Sequence, residues 1–164
     1  MVVIVQHTPW WVFAVLALLI ATGVQALRPR VVPVWRLLIV PAIFIAWGIL
    51  GVTQRSFGAP MLAVDWVAAG AFAAAIGWVT TRFDGLSFTA DGAVSVPGSP
   101  LPLVRNAVIF VIRYGLGVGA AFAADDAARA QLVMFDVIVS GLMTGYFVGW
   151  LGRFARTRAA LTAA

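Results

Sequence analysis

Two opposite charges stand alone in the apolar sequence near the end of this chain. Arg113 lies in the run 101–123 and Asp136 in the run 131–154. The polar turn Ala124-Asp125-Asp126 separates the runs, and each charge lies eleven or twelve residues from it. If both runs are helical, a rise of about 1.5 Å per residue puts both charges roughly 17 Å from the turn. That is near the middle of a hydrocarbon layer about 30 Å thick. An antiparallel hairpin then brings a guanidinium and a carboxylate to one depth. A lone charge at the bilayer centre costs roughly 2.5 to 3.5 kcal/mol on insertion scales, so each is expected to face the interior and hold the other. Arginine keeps its proton, so only a partner or water can offset its charge.

Two roles fit such a pair. It can line an ion or proton pathway, or anchor a small lipophilic or ionic ligand. Alternatively it is structural and fixes helix register. Tyr114 and Asn106 are placed to extend the polar cluster, although Asn106, nearer the helix end, also suits a capping role. His7 beside Gln6 reads as a headgroup contact at the outer interface. Tyr146 and Trp150, one turn apart, read as part of an aromatic belt.

Composition limits the remaining chemistry. Of 164 residues, 63% are hydrophobic and 10% charged, against about 25% charged in a soluble domain. All the charge is arginine and aspartate, giving a formal net charge of +5. The arginines sit at the ends of apolar runs and not on one polar face, so membrane anchoring explains them and nucleic acid is not an expected partner. There is no cysteine, which excludes disulfides, thiolate metal sites and cysteine nucleophiles. A single histidine rules out a two-histidine haem site within one chain. No glycine-rich dinucleotide motif, phosphate loop, HExxH or serine-centred nucleophile motif is present, so no metal or cofactor is expected.

The elements that must position the pair follow from the hydropathy pattern. The reading is an all-α membrane protein, one transmembrane domain over residues 1–164. It has five spans at about 9–27, 31–52, 60–81, 101–123 and 131–154, with one short β-hairpin at 86–96. Met1 opens an apolar, uncharged segment unlike a secretory signal, so no cleaved peptide is expected. Thr8-Pro9 supplies an N-cap residue and a first-turn proline, and Trp10-Trp11 an interfacial aromatic pair. Arg28-Pro29-Arg30 ends the first span. In the second, Arg36 is positioned to snorkel, and Pro41 removes a hydrogen bond to the carbonyl of Leu37 and is expected to kink the helix. Asp65, about one turn inside the third span, reads as an interfacial carboxylate near Arg55.

In the hairpin, a three-residue loop with Gly92 as a left-handed bulge pairs Phe88 with Val94 and Leu86 with Val96 on one face. A two-residue turn at Asp91-Gly92 would oppose Phe88 to Ser95 and waste the apolar pattern, so the three-residue loop is preferred. A lone hairpin is marginal in water, so its apolar face must lie on helices or membrane.

Gly115 with Gly119, and Gly141, Gly145 and Gly149 in series, form small-residue ridges for close helix packing. They serve packing within the chain or the seam of a homodimer. Arg28, Arg30, Arg36, Arg82, Arg105, Arg153, Arg156 and Arg158 fall on one side of the five-span arrangement, and Arg55 and Arg129 on the other. The positive-inside rule then puts the N-terminus outside and the C-terminus and hairpin in the cytoplasm.

Four stretches together resemble a family of small bacterial inner-membrane proteins known only as domain of unknown function 6622. They are His7-Thr8-Pro9-Trp10-Trp11-Val12-Phe13, Arg28-Pro29-Arg30, Val96-Pro97-Gly98-Ser99 and Arg113-Tyr114-Gly115-Leu116-Gly117-Val118. The resemblance covers nearly the whole chain. It implies the multi-pass topology and a cation at position 113, where members tend to carry lysine, and it brings no activity. Three functions therefore compete: a small transport or channel-like protein of the inner membrane, a membrane enzyme acting on a lipid-like substrate with Asp136 as acid or base, and an assembly partner of other membrane proteins.

Overall fold

A computed structural model describes residues 8–57, 59–83, 87–89 and 93–162. His7, Leu86, the Asp91-Gly92 turn and the side chain of Trp11 lie outside what it describes. The elements run α1 (Trp10–Gln25), β1 (Arg30–Pro33), α2 (Val34–Ser56), α3 (Pro60–Thr80), β2 (Ser87–Phe88), β3 (Ala93–Val96), α4 (Leu101–Ala121) and α5 (Asp126–Thr162). Of these five helices, α2 to α5 are each long and apolar enough to cross a membrane. Helix α1 has 16 residues, about 24 Å at helical rise, and falls short of the span expected at 9–27.

Three boundaries differ from expectation, each for a local reason. Residues Arg30–Pro33 form a strand that joins the hairpin in a three-stranded sheet of order β1-β3-β2, so α2 starts at Val34. Two β-branched valines followed by proline favour extended backbone, since the residue before a proline is pushed out of the helical region. Helix α5 starts at Asp126, five residues before the apolar run, because the Asp125 carboxylate accepts a hydrogen bond from the Ala128 N–H at 2.7 Å and caps it. It continues past Phe154 to Thr162 through alanine and arginine, both strong helix formers.

The hairpin register pairs Ser87 with Ser95 and Phe88 with Val94, as a three-residue loop requires. Val94 is fully buried, and the Phe88 ring lies 6.3 Å from that of Phe154. The apolar face of the hairpin therefore rests on α5.

Contacts divide the chain into two units, one of residues 1–30 with 96–132 and the other of 31–95 with 133–164. In the first, α1 packs on α4. A Cβ at Gly23 would stand 2.8 Å from the Leu103 Cα, so only glycine permits this approach. The Ser99 N–H donates to the Ala26 carbonyl at 2.8 Å and joins the end of α1 to the start of α4.

In the second unit α3 and α5 meet backbone to backbone. A methyl at Gly141, Gly145 or Gly149 would sit on the carbonyl oxygen of Trp66, Gly70 or Ala74 respectively. The contact is reciprocal, since Gly77 on α3 faces the Tyr146 carbonyl. Close approach of this kind gives helices van der Waals contact that larger side chains would prevent. Phe147, buried, stacks on Phe44 of α2 with centroids 5.2 Å apart. Trp150 stacks on Phe154, and Phe83 meets both rings edge-on.

Candidate functional site

Asp136 is engaged by Arg55. The Arg55 Nη1 lies 2.6 Å from an Asp136 carboxylate oxygen, with the aspartate side chain 15% exposed and the arginine 40%. Arg55 is in the last turn of α2 and Asp136 ten residues into α5. The arginine reaches it by running back along its own helix, its Nη1 passing Gly51 one turn earlier. Side chains on a helix lean toward its N-terminus, and a glycine four residues back leaves the groove open. Arg55 was expected beside Asp65; among the described residues Asp65 forms no ion pair.

From Asp136 a line of hydroxyls continues along α5 at four-residue spacing, the repeat that keeps side chains on one helix face. Ser140, buried, accepts a hydrogen bond from the Trp66 indole N–H at 3.4 Å. Thr144, also buried, has its hydroxyl against Gly48 of α2, and its Oγ1 has no hydrogen-bond partner among the described residues. A hydroxyl buried without a partner is unusual, because its lost hydration goes uncompensated. Asp136, Ser140 and Thr144 together cover about 12 Å of helix axis. A carboxylate followed by hydroxyls can pass a proton or solvate a small cation along an otherwise apolar interior. Among the described residues no group of three or more His, Cys, Asp or Glu could hold a metal ion.

Arg113, half-buried on α4, belongs to the first unit, and Asp136 to the second. Tyr114 and Asn106 both tie α4 to the N-terminal part of the chain. The Tyr114 hydroxyl shares a 2.7 Å hydrogen bond with the Thr8 hydroxyl, and its ring stacks on Phe110. Asn106, only 3% exposed, donates from Nδ2 to the Leu19 carbonyl at 3.4 Å, and its Oδ1 has no partner among the described residues. These two ties are eight residues apart, about 12 Å along α4. Of the glycines on this helix, Gly115 has nothing near its would-be Cβ among the described residues and Gly119 faces Leu132.

Sequence reasoning missed Arg55, Trp66 and Gly48 as neighbours of this polar line. The pair Gly51 and Arg55, small residue and cation at four-residue spacing, was the available signal for the first. No curated protein and no solved structure matches the chain. A family model does match, over residues 1–163, and on that near-complete match the chain belongs to a family of unknown function, DUF6622.

Proposed function

We propose that this protein is a small transport or channel-like protein of the bacterial inner membrane, in which Asp136 is the charged station of a proton or cation path along α5. One observation carries the reading: a carboxylate and two buried hydroxyls stand in file on one helix face, the last with no hydrogen-bond partner among the described residues. Thr144 is the more telling of the two, since a buried hydroxyl with no hydrogen-bond partner among the described residues opposes folding. Arg55 contacts the Asp136 carboxylate, and a cation arriving there competes with the guanidinium for its oxygens.

Four long apolar helices support the membrane setting. The excess of arginine at one set of helix ends supports an outside N-terminus and a cytoplasmic C-terminus. Purified protein in sealed liposomes tests the reading. Proteoliposomes are expected to dissipate an imposed proton or monovalent-cation gradient at least several-fold faster than protein-free liposomes. Equal rates for both, across protons, sodium and potassium, would overturn it. Reporter fusions at each terminus check the orientation separately.

A further inference from the structure

Where α3 ends, a second polar feature lies apart from the Asp136 line. Arg82 lies just past the helix, after its C-cap Thr81, and is exposed. Together with Val79, Phe83, Arg153 and Thr157 it lines an open cleft of about 500 Å³. Its depth along the helices is fixed by the glycine contacts. Gly145 and Gly149 of α5 rest against Gly70 and Ala74 of α3, so at the same offset Arg153 lies level with Trp78 and Thr157 one turn further out, level with Arg82. Thr157 donates its hydroxyl proton to the Arg153 carbonyl at 3.0 Å, so Arg82 and Arg153 are the charged donors among the described lining residues. Among the described residues, none that lines the cleft is acidic. Arg156 sits beside the cleft over the Trp78 ring, 5.9 Å from its centroid, and adds positive charge.

Below the guanidinium groups the surface is apolar. Val79 is 76% exposed and Trp78 36% exposed on the flank of α3, a helix long and apolar enough to span. Phe83 is held in place by Trp150 and Phe154 and gives the cleft a rigid aromatic wall. A cationic rim above exposed apolar surface, at the boundary where such helices leave the hydrocarbon, matches the two halves of an anionic phospholipid. Basic pockets of this kind between spanning helices on the cytoplasmic side select anionic headgroups, and arginine forks bind phosphate oxygens bidentately.

From this juxtaposition we infer that Arg82 and Arg153 form a binding site for the phosphate of an anionic phospholipid, its acyl chain lying along Val79. The inference rests on the membrane reading above but not on transport. Native mass spectrometry of the full chain, released from nanodiscs of mixed phosphatidylglycerol and phosphatidylcholine, tests it. Wild type is expected to retain phosphatidylglycerol in preference to phosphatidylcholine. The double substitution R82Q/R153Q is expected to weaken that preference roughly tenfold or more, whereas R129Q, far along α5 from the cleft, leaves it unchanged. R82K/R153K is expected to retain part of the preference, because charge survives and the fork does not.

Unchanged selectivity in R82Q/R153Q, with helix content preserved by circular dichroism, would overturn the proposal, as would equal retention of both lipids by wild type. Displacement of the lipid by millimolar inorganic phosphate would assign the cleft to a free anion and overturn the lipid assignment. Extraction of the protein from membranes by alkaline carbonate would count against the membrane reading itself, a separate result from loss of lipid selectivity in a protein that stays embedded.

Discussion

The guanidinium of Arg55 meets the carboxylate of Asp136 at 2.6 Å, joining the end of α2 to the interior of α5. The aspartate is largely enclosed and the arginine partly open. The pair therefore falls between an exposed bridge, about 0 to 1 kcal/mol, and a buried one whose rupture costs about 3 to 5 kcal/mol. In a double-mutant cycle of Arg55→Gln and Asp136→Asn, unfolded by denaturing detergent, a coupling of about 1 to 2 kcal/mol is expected. Strictly additive single effects would show that the contact contributes nothing.

The glycines divide into those that touch backbone and those that do not. Gly145→Ala sets a methyl on the Gly70 carbonyl, which a packed helix cannot move aside, and is expected to destabilise by about 1 to 3 kcal/mol. Gly115→Ala meets open space and is expected to be neutral, or to stabilise by roughly 0.5 to 1 kcal/mol through backbone entropy. Equal losses at both positions in thermal unfolding would contradict the α3–α5 contact.

Asn106 offers a test of buried polarity. Its hydrogen bond to the Leu19 carbonyl is long and its own oxygen is unsatisfied, so Asn106→Leu is expected to change stability by less than about 1 kcal/mol. Asn106→Asp puts a charge in the same place and is expected to cost more than about 2 kcal/mol. The ratio of folded protein recovered for the two variants reads the difference.

The absence of cysteine makes the hairpin register directly measurable. Opposed residues in an antiparallel pair have Cα atoms about 4.5 to 5.5 Å apart, within disulfide reach. Ser87→Cys with Ser95→Cys is expected to crosslink on mild oxidation, and Phe88→Cys with Ser95→Cys is not. The reverse pattern would mean a two-residue turn.

The long helices were legible in the sequence because uninterrupted apolar runs leave few alternatives, and the hairpin register was legible because only one pairing keeps Phe88 and Val94 on the same face. Strand β1 was not, since Arg30–Pro33 is short, is apolar after its arginine and continues smoothly into a helical run. The start of α5 was hidden because its first turn is polar and its cap, Asp125, read as a turn residue. At the candidate site, Asp136 stood out as a charge in an apolar run, but Arg55 did not. It lies at a helix end, where arginines ordinarily turn outward to the headgroups, and only the path over Gly51 takes it inward. Ser140 and Thr144 stand directly beside Gly141 and Gly145, where small residues suit close helix packing equally well. Their neighbours Trp66 and Gly48 come from helices far away in sequence, which no local pattern reveals.

The central claim is that Asp136 carries traffic along α5. The most direct measurement compares cation and proton flux in liposomes containing wild type, Asp136→Asn and Asp136→Glu at equal, folded protein density. The account predicts a fall of about tenfold or more in Asp136→Asn, with a substantial part of the flux kept in Asp136→Glu, which preserves the carboxylate. Wild-type flux in folded Asp136→Asn would contradict it.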